Sequence, residues 1–403
     1  MRNVIPSMPH PQVVAAGSPA SRARRQRRTL LVALGLGLLC SLGQAQESDD
    51  AEELMGYSAR GRVPAGYPLA YAATVKAAED EGRLVIYSTT DASIANVLIA
   101  DFRAMYPRID VTYEDLNSTV LYHRFVAETQ LGGESADVLW SSAMDQQAAL
   151  VSNGYAMRYD SPEKASLPAW ANWKDEAFAT TFEPVVFAYN KTQLKASEVP
   201  QSHAELARLL NADPNRFRGK VVSYDIEKSG LGFFLATQDV AVSADFWNIA
   251  RAMGKSGVRL DLTTDAMVRR IASGQALIGY NLLGAYTLAQ ARRNPSIGYV
   301  FPKDYTLVMS RILLVSKKAA HPNAAKLWVD YLLSKRGQTV IATSARLFAV
   351  RDDVQGESTA ARLKQTLGAS LRPIAVGPGL IGYLNNQNYR DFILQWRQAV
   401  VSP

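Results

Sequence analysis

The chain has 403 residues, 44 lysines plus arginines against 37 aspartates plus glutamates, and a formal net charge of +7. Six of the basic residues (Arg2, Arg22, Arg24, Arg25, Arg27 and Arg28) precede residue 46 in a stretch without lysine or acid, which leaves 38 basic and 37 acidic groups for the rest. A near-neutral body lacks the basic excess that phosphate backbones require, so the electrostatic case for a nucleic-acid binder disappears; 48% hydrophobic and 20% charged residues exclude a disordered chain.

The basic cluster at 22–28 is followed by an apolar run over 30–42 and then Gly43, Gln44 and Ala45. Positive flank, short apolar core and small residues two apart predict a cleaved secretory signal peptide over residues 1–45. The run falls short of the ~20 residues that span a bilayer. The pair Arg27-Arg28 loosely resembles a twin-arginine signal, but basic residues stand where a polar one is usual, so general secretion ranks first. Cys40 is the single cysteine, and Leu39 before it argues against a lipid anchor. Cleavage after Ala45 leaves a mature chain without disulfide, thiolate metal site or cysteine nucleophile. Residues 46–70 are acidic and then Gly/Pro-rich without periodicity, and read as a mobile lead-in.

From Tyr71 onward, short β-branched runs alternate with amphipathic stretches. Strands are predicted over 83–88, 109–113, 136–140, 220–224, 276–280 and 297–301, and helices over 94–106, 118–131, 145–153, 232–241, 244–254 and 265–274. Ser202 to Glu205 is a capping-box pattern, and His321-Pro322 opens a long helix to Leu333. This alternation implies parallel pairing, hence an α/β fold. Two apolar segments, 182–189 and 312–316, sit between blocks of the pattern, as strands crossing between two lobes would.

Common chemistry is missing. The sequence has no paired-histidine metalloprotease helix, nucleophile elbow or Gly-rich phosphate loop, and His123, His203 and His321 are scattered over predicted helices. Neither a cofactor nor a metal is expected, and binding is favoured over catalysis. A secreted hydrolase on an α/β scaffold stays open, since aspartate chemistry leaves little trace in sequence.

Specific residues then carry a resemblance. In order they are Leu84-Val-Ile-Tyr-Ser-Thr-Thr90, Phe102-Arg-Ala-Met-Tyr-Pro107, Ala136-Asp-Val-Leu-Trp140, Phe182-Glu-Pro-Val-Val-Phe-Ala-Tyr-Asn190, and the helix from His321 through Leu332-Leu-Ser-Lys-Arg-Gly-Gln338. This set, over roughly 82–351, resembles the periplasmic substrate-binding proteins of ATP-binding-cassette (ABC) importers, in the ferric-iron-type group. The resemblance implies a two-lobed type 2 clamshell with two crossing hinge strands. Lobe 1 would hold 71–187 and 308–345, lobe 2 would hold 188–307, and 346–403 would form a C-terminal helical segment packing across both. It further implies a periplasmic monomer that delivers a small ligand to an ABC permease in the inner membrane, or a sensor feeding a two-component system. Neighbouring genes would tell transport from sensing.

Iron-binding members of that group use adjacent tyrosines, with a histidine and a glutamate from the other lobe. Here the nearest match to the tyrosine pair is Tyr280-Asn281, and adjacent tyrosines occur nowhere. An unusual iron site would need Asp91, Tyr280, Tyr286 and Tyr305. The favoured ligand is instead a small anion, phosphorylated or carboxylated. Hydroxyls precede three predicted helices at Ser88, Thr89 and Thr90, at Ser141 and Ser142, and at Ser229 with Gly230, and helix N-termini favour anions. Arg311 at the return crossing is expected to pair bidentately with the anion, its alternative role being an interlobe salt bridge. Asp225 is a candidate for a ligand amine or hydroxyl, and Tyr280, Asn281 and Tyr305 complete the expected lining. Residues 117–119 form a further loop that the sequence alone does not rank.

Overall fold

The computed structural model describes residues 63–400; the signal peptide and most of the lead-in expected from the sequence lie outside them. The elements in chain order are α1 (Tyr71–Glu81), β1 (Arg83–Ser88), α2 (Ala92–Met105), β2 (Asp110–Asp115), α3 (Ser118–Leu131), β3 (Val138–Ser141), α4 (Met144–Ser152), β4 (Asn172–Trp173), β5 (Ala177–Ala179) and β6 (Glu183–Asn190). They continue with α5 (His203–Ala212), β7 (Val221–Tyr224), α6 (Gly230–Val242), α7 (Phe246–Lys255), β8 (Arg259–Asp261), α8 (Thr264–Ala272), β9 (Ile278–Leu283), α9 (Gly284–Arg293), β10 (Ile297–Val300), β11 (Thr306–Met309) and β12 (Ile312–Val315). The last are α10 (Pro322–Leu333), α11 (Lys335–Thr343), α12 (Ala360–Leu367), β13 (Leu371–Pro373) and α13 (Asn386–Val400).

These strands make two sheets, one per lobe. The first runs β2-β1-β3-β12-β5-β4; the second runs β13-β11-β6-β9-β7-β8, with β10 paired to β6. In the first, β2, β1 and β3 are parallel, as are β8, β7 and β9 in the second. A strand covered on both faces reads as a continuous apolar run, and β12, antiparallel to both β3 and β5, shows why. Ile312 and Leu314 enter one hydrophobic core, while Leu313 and Val315 enter the other with Trp328 of α10 and Phe102 of α2. The Trp328 and Phe102 rings meet edge-on at 5.1 Å.

The chain passes between sheets at 180–182, from β5 into β6, and returns at 310–311, from β11 into β12. The two apolar segments singled out in the sequence are therefore β6, inside the second sheet, and β12, inside the first; the crossings proper are the short stretches beside them. The crossings are bonded to each other. Thr180 N–H donates to the Arg311 carbonyl at 3.0 Å, the Ser310 hydroxyl to the Thr181 carbonyl at 2.6 Å, and Arg311 N–H to Thr181 Oγ1 at 2.9 Å. Later, Val376 N–H reaches the carbonyl of Trp170 and Ile374 N–H that of Val308, and α13 packs on α7.

Candidate functional site

Six parallel strands end in loops that open helices: β1 into α2, β2 into α3, β3 into α4, β7 into α6, β8 into α8, and β9 into α9. In open parallel sheets the crevice beyond the carboxyl ends of strands is where ligands bind. Here the six loops face each other across a cavity of about 320 Å³, closed on a further side by Arg311. The volume lies at the small end of the range for ligand pockets.

The lobes touch around this cavity. Leu231 N–H at the start of α6 donates to Ser118 Oγ at 3.2 Å, Thr119 Oγ1 to the Lys228 carbonyl at 3.4 Å, and Asp91 N–H to Tyr286 Oη at 3.2 Å. Gly230 sits at this junction: a Cβ there would stand 2.6 Å from Gln146 Nε2 and 2.9 Å from Ser118 Oγ, both in the opposite lobe.

Of the residues expected to bind ligand, Thr89, Ser142, Ser229 and Arg311 line the cavity. Ser88, Thr90, Ser141 and Gly230 belong to the same loops but lie behind its surface, and most of these hydroxyls serve the loops themselves. Ser88 Oγ donates to the Trp140 carbonyl at 2.8 Å and accepts from Thr90 N–H at 3.0 Å. Thr89 Oγ1 accepts from Ser142 N–H at 2.9 Å, Ser141 Oγ from Ala143 N–H at 3.2 Å, and Ser229 Oγ from Gly232 N–H at 3.2 Å. Ser229 thus caps its helix, and the others tie the first and third loops to themselves and to each other.

Arg311 corrects the sequence reading more sharply. Its guanidinium is fully buried and forks onto the equally buried Glu183, with Nε to Oε1 at 2.7 Å and Nη2 to Oε2 at 3.2 Å. Nη1 donates to Thr90 Oγ1 at 2.8 Å. Burial works against its charge, but Glu183 outweighs that and holds the guanidinium above its usual range. The bidentate geometry expected for a ligand anion is spent on the hinge.

Four expected residues stand outside the cavity. Asp225 pairs with Lys228 at 3.0 Å and accepts from Glu227 N–H at 3.1 Å. Tyr280, Asn281 and Tyr305 converge on the buried Asp239, the two phenols donating at 2.8 and 3.0 Å, with His203 stacked on Tyr305 at 3.8 Å. Burial first, and then the charge of Asp239, push both phenols far above their usual value, and both hydroxyls are spent on that carboxylate. Asp91 and Tyr286 do face the cavity, and the four-residue iron set is therefore split between two places.

Asp115, Leu262, Thr263, Thr264, Asp265 and Leu283 line the cavity without having been anticipated. One signal for the loop from β8 into α8 was readable: Thr263 Oγ1 caps α8 by accepting from Ala266 N–H at 3.2 Å, a hydroxyl-then-helix pattern like that of Ser229. Asp91 is half-buried, and its carboxyl is raised above the ordinary range by burial and then by Asp115, with Arg311 and Tyr286 pulling the other way.

A larger cavity, about 380 Å³, lies within the first lobe beside α1 and α10. Its acids are satisfied from within. Asp330 accepts from Tyr71 and Tyr159 at 2.6 Å each and from Ser161 at 2.5 Å, and Glu163 accepts from Tyr67 at 2.6 Å and from Arg351 at 2.5 Å. The cavity between the lobes is the better candidate, because both lobes and six helix starts build it.

A sequence profile described as bacterial extracellular solute-binding protein matches residues 97–365. The chain belongs to that family. It is 40% identical to the substrate-binding protein of an ABC transporter from Agrobacterium tumefaciens, covering 79% of this chain and 94% of that one with a TM-score of 0.76. More distant structures share the fold. They include the periplasmic binding protein AfuA from Actinobacillus pleuropneumoniae with fructose-6-phosphate bound (19% identity, 80% and 99% coverage, TM-score 0.66) and a ferric binding protein from Campylobacter jejuni (19%, 78% and 99%, 0.63). No curated protein sequence matches the chain. Family members capture solutes for membrane permeases, and a two-lobed α/β architecture is what the chain has. No helix among the described residues is long and apolar enough to cross a membrane.

Proposed function

We propose that this protein is exported by its N-terminal 45 residues, captures one small polar organic solute between its lobes, and presents the closed form to an ABC permease. The observation that carries this reading is the cavity itself, built jointly by three strand-end loops of each sheet and bridged by hydrogen bonds from lobe to lobe. A solute held there would favour the closed arrangement by as much as it binds that form better than the open one.

An anionic solute, the expectation from the sequence, keeps the helix N-termini in its favour. It loses the arginine, whose fork is on Glu183, and most of the hydroxyls, which cap their own loops. An iron ion has only Asp91 and Tyr286 of its expected donors, and no cluster of three or more acids, histidines or cysteines fit to hold a metal occurs among the described residues.

Native mass spectrometry of protein purified from a rich medium tests the proposal. The expected result is a stoichiometric small solute that leaves on activation. Protein that carries no solute and shows no change in tryptophan fluorescence with any fraction of a bacterial metabolite extract would overturn it.

A further inference from the structure

The polar groups of the interlobe cavity are unevenly signed. Asp91, Asp115 and Asp265 line it, whereas the only cation in its lining is Arg311. Arg311 is neutralised by Glu183 through two contacts at 2.7 and 3.2 Å, both side chains being fully buried. Asp265 is paired with Arg269 one helical turn along, and Asp115 spends one oxygen, Oδ2, on Ala92 N–H at 3.0 Å. Asp91 has no salt-bridge partner among the described residues; the Tyr286 hydroxyl bonds its carboxyl, and Arg311 and Arg269 draw on it from farther away. Asp91 is the N-cap residue just before α2, with the Tyr286 hydroxyl beside it, its own backbone N–H donating there at 3.2 Å. The other wall is hydrocarbon: Leu116, Leu231, Leu262 and Leu283, two of them buried.

A carboxylate half-withdrawn from water, with a second carboxylate near it and only a tyrosine hydroxyl bonded to it, favours a donor that brings positive charge. We propose that the solute carries a protonated amine on a hydrocarbon framework, with the ammonium held by Asp91 and backed by Asp115, and the framework against the leucines. The assignment rests on the cavity being the solute site proposed above. It also accounts for the arrangement at the hinge. Glu183 cancels the one charge that would repel a cation entering between the lobes.

The test separates this assignment from the importer reading. A bacterial small-metabolite extract is divided on ion exchangers into amine, anion and neutral fractions, and each is added to the full-length mature protein in a thermal melt and in native mass spectrometry. The amine fraction is expected to raise the melting temperature and to leave one bound mass. Asp91→Asn is expected to weaken binding of that mass roughly 10- to 100-fold, the worth of one charge-assisted contact, while its melt without added solute stays close to the parent's. Stabilisation by the anion or the neutral fraction alone would overturn the amine and leave the importer reading standing. Unchanged affinity in Asp91→Asn would overturn the role of that carboxylate. If no fraction binds, the interlobe cavity is not a solute site and both readings fall.

Discussion

Glu183→Gln is the most informative single change for the hinge. The substitution keeps shape and removes one charge from a pair in which neither side chain is exposed to water. Glu183 Oε1 also accepts from Thr181 Oγ1 at 2.9 Å, and Thr181 Oγ1 in turn accepts from Arg311 N–H, so the carboxylate sits in a ring that closes both crossings on each other. Breaking a buried pair from one side leaves an uncompensated guanidinium and costs about 3–5 kcal/mol. With a urea m-value of about 3 kcal/mol/M, the unfolding midpoint should fall by roughly 1 M or more, read from the fluorescence of the six tryptophans. The double variant Glu183→Leu with Arg311→Met removes both charges and should recover much of the loss, because the penalty lies in the orphaned charge more than in the missing attraction. A midpoint that moves by less than about 0.3 M, roughly 1 kcal/mol, would refute the reasoning. So would a double variant no better than Glu183→Gln alone, since the guanidinium would then not be paying a desolvation cost.

Other expectations follow from the same structure. Asp145, in the first turn of α4, is fully buried, and burial pushes its carboxyl up to about 7. Its folded-state value is thus above the unfolded one, so its contribution is fully present below about pH 4 and is lost as pH rises through 7. Asp145→Asn should remove that loss and stabilise the protein at pH 8 by about 1–4 kcal/mol, with little gain at pH 4, as measured by denaturant midpoints. Gly254 on α7 lies where a Cβ would come within 2.4 Å of the Ala399 carbonyl oxygen and 2.9 Å of Val400 Cα; Gly254→Ala should push α13 off and cost about 1–3 kcal/mol, with faster proteolysis of the C-terminal helix. Edman sequencing of protein recovered from the periplasm should begin at Gln46 if the export reading is right, and an uncleaved or cytoplasmic product would contradict it.

Most of the architecture was readable because the signals are local. The 83–88 run became β1, 118–131 became α3, and Pro322 did open α10, each decided by periodicity, a cap or a fixed φ. The elements that escaped include the helices α1, α9 and α11 and the strands β4, β5, β8, β11 and β13; each of these strands has two to four residues, too few to show a period. Part of the candidate cavity's lining was expected for the same reason. Thr89, Ser142 and Ser229 were found because they precede helices, but a sequence shows which side chain caps a helix start only as a pattern and not which face it presents. Tyr280 in β9 and Tyr305 just before β11 stand outside the cavity because Asp239 on α6, distant from both in sequence, claims their hydroxyls.

Arg311 is the case where topology overrules chemistry. An arginine after a strand crossing has the right fork for an anion, and nothing near it in sequence contradicts that. Its partner comes 128 residues earlier, at the other crossing, and a fold with two crossings brings exactly those two positions side by side. The guanidinium fixed there is committed to Glu183 at one crossing and to Thr90 Oγ1 in the first lobe. Under the proposal of an amine solute, the discriminating charge sits on the strand-end loops that face each other. That is where Asp91, Asp115 and Asp265 stand, and why the sign of the solute is better read from them than from the arginine.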